Sequence, residues 1–88
     1  MDAVSIKNRL IEFLRGLTGE AALAADTELI ESGIADSLTI MDLMVFIETE
    51  FAVRLDPVDM NAEVFRTPST LAQCISMRIT QNRDARAA

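Results

Sequence analysis

The chain has 88 residues, a formal net charge of -6, one cysteine and no histidine, tyrosine or tryptophan. At that length it is one domain with a modest core, burying only about 60% of the surface its unfolded chain exposes. The composition excludes a histidine base, a Ser-His-Asp triad, an internal disulfide and a multi-cysteine metal site, and the acidic balance argues against nucleic acid.

In chain order, Ile6, Leu10, Phe13, Leu14 and Leu17 recur at helical spacing, and Gly16 and Gly19 punctuate the end. A first helix from about Val4 to Arg15 or Gly16 is predicted. Lys7, Arg9, Glu12 and Arg15 leave no uninterrupted signal-peptide core in this segment. The longest apolar runs, Ala21–Ala25 and Leu43–Ile47, are five residues, against the roughly 20 of a membrane span. A cytoplasmic protein that does not enter a membrane is the expectation.

The stretch from Leu17 to Asp36 is a long connection whose Leu23, Leu29, Ile30 and Ile34 are too apolar for a disordered linker. It is expected to pack onto the helices, with a helical turn near Glu20 to Ala25. Ser37–Phe51 reads as the second helix, free of proline and glycine, with Asp36 or Ser37 as N-cap. Pro57 marks a break, a short helix is expected around Val58 to Phe65, and Thr67-Pro68 opens the last helix with proline near its first position. Leu71, Ile75 and Ile79 form that helix's apolar stripe, joined by Cys74 or Ala72, with Cys74 a small core residue. No segment has a useful β-period. The expected fold is all-α, a small four-helix bundle of three main helices plus one short one with a long first connection. Residues 1–80 make its single domain, and 81–88, which lack apolar periodicity, a frayed tail.

At about 100° per residue, Ile40, Leu43, Met44, Ile47 and Phe51 share one face of the second helix, as a core stripe should. Leu38, Met41 and Val45 lie roughly opposite, flanked by Asp42 and Glu48. An apolar strip with acidic edges suits a partner with an apolar groove and a basic rim, although burial on both sides by the long connection would also explain it. No basic residue occurs between Arg15 and Arg54, whereas Glu20, Asp26, Glu28, Glu31, Asp36, Asp42, Glu48 and Glu50 all do. Such a one-sided stretch either steers a basic partner or is a solvated acidic surface. Asp26, Glu28 and Glu31 lack the spacing and central glycine of a calcium loop.

The segment Gly33-Ile34-Ala35-Asp36-Ser37-Leu38 resembles the attachment site of the acyl carrier protein family, whose signature Asp-Ser-Leu stands at the start of the second helix. The likeness extends upstream through Asp26-Thr27-Glu28-Leu29 and Ser32-Gly33-Ile34. Downstream it takes in Asp42-Leu43, Ile47-Glu48, Glu50-Phe51, Phe65, and Thr67-Pro68 through Leu71-Ala72. The resemblance implies a carrier, not an enzyme. A phosphopantetheinyl transferase would move 4'-phosphopantetheine from coenzyme A onto the Ser37 hydroxyl, and the thiol of that arm would hold an acyl or aminoacyl group as a thioester.

By the same resemblance Asp36 helps the transferase recognise the site, and an acyl- or aminoacyl-loading ligase or synthase is a further partner. The recognition face expected from the residues is Asp36, Leu38, Met41, Asp42, Val45 and Glu48 on a monomer. Housekeeping fatty-acid carriers have an acid just after the signature and more acids along the helix, where Thr39, Ile40 and Thr49 stand here. With Arg54, Arg66 and the Val64-to-Pro68 segment, this looks more like discrete carriers of aminoacyl or specialised-metabolite pathways. The competing reading is a small helical interaction module without a prosthetic group, separated from the first by the covalent state of Ser37.

Overall fold

Asp2 opens the first helix: its carboxylate accepts from the Ser5 N–H at 2.8 Å, and α1 runs Ala3–Thr18. The computed structural model describes residues 2–87, and of Pro57 and residues 82–87 the backbone alone. The other helices are α2, Ser37–Phe51, and α3, Pro68–Ala87, with one 3-10 turn at Pro57–Asp59 and no strand among the described residues.

The first helix outruns its expected end. Gly16 sits within its last turn, where one glycine costs roughly 1 kcal/mol relative to alanine, too little to break a helix anchored by buried Ile6, Leu10 and Leu14. The stop comes at Gly19, whose φ of 77° is left-handed and whose N–H donates to the Arg15 carbonyl at 2.9 Å. Leu17, expected on the core stripe, is exposed.

The core joins Ile6, Leu10 and Leu14 of α1 to Leu43, Ile47 and Phe51 of α2 and Leu71, Ala72 and Ile75 of α3. Leu23 and Leu29 add to it from the first connection, and Val53, Leu55 and Phe65 from the second. Removing each large side chain from water is worth about 1.5–3 kcal/mol. Among the described residues α1 and α3 make the most extensive contact between two helices. α2 meets α1 through stacked Phe13 and Phe46 rings, 4.1 Å between centroids, and through an Arg9–Glu50 ion pair.

The first connection packs down as its sequence predicts, but by backbone hydrogen bonds and turns, with no helical segment at Glu20–Ala25. The Leu29 N–H donates to the Arg66 carbonyl at 2.8 Å, the Ser69 N–H to the Ala25 carbonyl at 3.0 Å, and Arg15 Nε to the Leu23 carbonyl at 2.9 Å. Ile30 faces outward where an inward position is expected.

The short helix expected at Val58–Phe65 is replaced by the 3-10 turn and further turns. Local side chains supply the reason, because they take the backbone groups a helix would need. Asn61 donates to the Val58 carbonyl at 2.8 Å and accepts from the Val64 N–H at 3.0 Å, while Asp59 accepts from the Asp56 N–H at 3.1 Å, ahead of the expected helix.

α3 starts with a reciprocal cap. The Thr70 N–H donates to Thr67 Oγ1 and the Thr67 N–H to Thr70 Oγ1, each at 3.1 Å, with Pro68 at the first helical position. Its backbone is helical to Ala87; of the tail expected at 81–88, Ala88 and the side chains beyond Gln81 lie outside the described residues.

Candidate functional site at the start of α2

The approach to α2 is a tight bend. Gly33 takes a φ of 81°, a left-handed conformation that an L side chain rarely adopts, and the Ala35 N–H returns to the Leu29 carbonyl at 2.8 Å. Half-buried Ile34 and Ala35 pack against the core and fix the next residue.

That residue, Asp36, is extended and is the N-cap: its Oδ1 accepts from the Thr39 N–H at 2.9 Å, and its carbonyl accepts from Ile40. The Thr39 hydrogen bond holds the Asp36 carboxyl below the usual carboxylate range. The choice left open by the sequence is settled, since Asp36 caps and Ser37 is the first helical residue. Ser37 is exposed, and among the described residues its hydroxyl makes no hydrogen bond with the protein. First-turn N–H groups have no carbonyl partner inside the helix, and the helix dipole adds partial positive charge there.

Leu38, Met41 and Val45 are 73%, 65% and 64% exposed, so the second apolar stripe lies on the surface and is not covered by the first connection. Asp42 and Glu48 are exposed beside it. The opposite stripe is inward: Leu43, Ile47 and Phe51 are buried, and Ile40 and Met44 half-buried. The structure thus gathers Asp36, Ser37, Leu38, Met41, Asp42, Val45 and Glu48 on one solvent-facing helix. Glu48 is not a free acid, however, because Arg54 Nε lies 3.4 Å from its Oε1. Sequence spacing gave no sign of that pair, which a turn at Ala52 creates.

A groove of about 380 Å³ lies elsewhere, between the 57–65 segment and α3, and receives no residue from α2. Cys74 lines it and is half-buried, packed against the edge of the core and not inside it. Burial pushes the Cys74 thiol up, away from the reactive thiolate. Among the described residues no cluster of His, Cys, Asp or Glu suits a metal ion, and no helix is long and apolar enough to cross a membrane.

Comparison with known proteins gives this geometry a family. The model of the phosphopantetheine attachment site matches residues 8–75. The chain is 31% identical over 72 residues to the D-alanyl carrier protein of Enterococcus faecalis, covering 80% of this chain and 92% of that one. It is 30% identical over 78 residues to aminoacyl carrier protein 1 of Bradyrhizobium diazoefficiens, covering 84% and 86%, and 28% identical over 71 residues to a D-alanyl carrier protein of Lactobacillus delbrueckii subsp. bulgaricus, covering 80% and 89%. An interaction module without a prosthetic group does not account for these matches. The chain belongs to the phosphopantetheine-binding carrier proteins: it is a carrier, not an enzyme, and holds acyl or aminoacyl groups on covalently attached 4'-phosphopantetheine.

Proposed function

We propose that Ser37 bears the 4'-phosphopantetheine and that the exposed face of α2 presents the cargo to partner enzymes. The observation that carries this is the division of labour at the helix start: Asp36 does the capping, so the Ser37 hydroxyl is left exposed and uncommitted. The residues fit the group, because a phosphate on Ser37 would stand where the dipole and open N–H groups favour negative charge. When bound, the arm supplies a thiol that carries the cargo as a thioester.

The protein's own task is positional. Gly33 and the half-buried Ile34–Ala35 step set the helix start, Asp36 holds its first turn, and Leu38, Met41 and Val45 give partners an apolar surface beside acids. An aminoacyl cargo is favoured by relatives named as D-alanyl and aminoacyl carriers. The corresponding partners are a phosphopantetheinyl transferase and a ligase or synthase that loads the thiol. We place this carrier in the cytoplasm as a monomer, with residues 1–80 as its domain, 81–88 as its tail and the 57–65 segment standing for the short fourth helix of the bundle.

Incubation with coenzyme A, magnesium and a broad-specificity transferase should add the mass of one phosphopantetheine, and Ser37→Ala should add none. An undiminished gain in Ser37→Ala would overturn the assignment.

A further inference from the structure

Resting on the docking role of α2, we infer that its exposed face is electrically uneven, acidic at the Ser37 end and self-neutralised at the Glu48–Arg54 end, and fits a partner with basic groups opposite the first and a carboxylate reaching the open guanidinium edge of Arg54. The placement of Arg54 begins at Ala52, whose left-handed backbone, φ 53° and ψ 39°, ends α2 and turns the chain. Val53 and Leu55 are then buried at 3% and 5% exposure, which throws the intervening Arg54 outward on an anchored backbone. Its side chain is 85% exposed, and its Nε lies 3.4 Å from Glu48 Oε1. Among the described residues the two terminal nitrogens of the guanidinium make no hydrogen bond, so its planar fork is open to an incoming carboxylate.

The acids of the same face divide accordingly. At the C-terminal end Glu48 is paired with Arg54 and Glu50 with Arg9, whereas Asp36 and Asp42, and Glu31 on the approach, have no ion pair among the described residues. Twelve helical steps separate Asp36 from Glu48, about 18 Å at 1.5 Å per residue. The Debye length at physiological ionic strength is about 8 Å, so a partner meets an acidic end and a neutralised end separately, not one averaged acidic field. A uniformly basic rim would gain at Asp36 and Asp42 but nothing at the neutralised Glu48–Arg54 pair, whose open guanidinium edge only an acceptor can use. A partner that matches both ends is thereby preferred over one that matches the acidic end alone.

The test uses the holo protein, its loading confirmed by mass, and a panel of purified ATP-dependent ligases that load phosphopantetheine carriers with amino or carboxylic acids. Initial loading rates are measured for the wild type, Arg54→Gln, Arg54→Glu and Val45→Asp, each checked by circular dichroism. With the ligase that loads the wild type best, Arg54→Gln should be about threefold slower and Arg54→Glu about tenfold slower, and a lysine in place of the acidic rim residue of that ligase should restore Arg54→Glu. Rates for Arg54→Glu equal to or above wild type with every ligase would overturn the inference. Wild-type loading of Val45→Asp would instead remove α2 as the docking face, a separate failure.

Discussion

Arg78 grips Asp59 with two hydrogen bonds, Nε to Oδ2 at 2.7 Å and Nη2 to Oδ1 at 3.0 Å, and so ties the 3-10 turn to α3 across 19 residues of sequence. The same guanidinium reaches Asp56 Oδ2 at 3.0 Å. Hydrogen bonds from Arg78 are the main cause holding the Asp59 carboxyl below the usual carboxylate range. A carboxylate depressed in the folded state stabilises the fold fully above its unfolded-state pKa of about 3.9, and that contribution is lost as the pH falls through the folded-state value. Urea midpoints of wild type and Asp59→Asn across a pH series should differ most well above the unfolded-state value of about 3.9, and the gap should narrow as the pH falls below it. A gap that stays constant over the series would show that Asp59 does not titrate against Arg78.

The two faces of α2 make opposite demands on substitution. Leu43 and Ile47 are fully buried, so Leu43→Ala or Ile47→Ala should cost about 2–5 kcal/mol of stability. Val45→Ala, on the exposed face, should stay within about 0.5 kcal/mol. Denaturant melts in the reverse order would mean that the helix is turned the other way.

Ala52 holds a left-handed backbone that costs an L residue roughly 1–2 kcal/mol, and its side chain is exposed. Glycine removes that strain but has more unfolded-state freedom to lose, about 0.4–1 kcal/mol. Ala52→Gly should therefore stabilise the domain by about 0.5–1 kcal/mol in chemical denaturation. A destabilised variant would refute the assigned strain.

Charge steering acts on association rate and is weakened by salt. Transfer of phosphopantetheine onto Ser37 should slow as salt rises, and Asp42→Lys should slow it most at low salt while leaving the fold intact. Val45→Asp should damage ligase loading at every salt concentration, because it puts a charge into the apolar contact. Stopped-flow or quenched kinetics over a salt series measure both, and a salt-independent wild type would leave Asp36 and Asp42 without a steering role.

Sequence foretold this fold best where one helical period runs unbroken. From Ser37 to Phe51 no proline or glycine interrupts the pattern, so the two stripes could be separated from spacing, with Leu43, Ile47 and Phe51 inward, whereas the exposure of Leu38, Met41 and Val45 required the structure, since the long connection could have covered them. Between Val58 and Phe65 the outcome hung on the Asn61 side chain capturing the Val58 carbonyl and the Val64 N–H, a competition that periodicity does not register. Asp59–Arg78 and Glu48–Arg54 were invisible for a related reason, since each depends on how a non-helical connection returns the chain to a helix. Whether Asp36 or Ser37 would cap α2 also required the structure, because both side chains have the chemistry to do it.

The first connection has a consequence for the timing of biosynthesis. Leu29 and Ala25, which shape the bend into α2, hydrogen-bond to Arg66 and Ser69. A ribosome makes the chain from its N-terminus, so Ser37 emerges well before the residues that brace its surroundings exist. The bend can be locked only once Arg66 and Ser69 have cleared the ribosome, and these sequence-distant contacts make it a late event in folding. An enzyme that recognises the finished start of α2 therefore acts only after the segment through Ser69 has been made and has folded back onto the first connection.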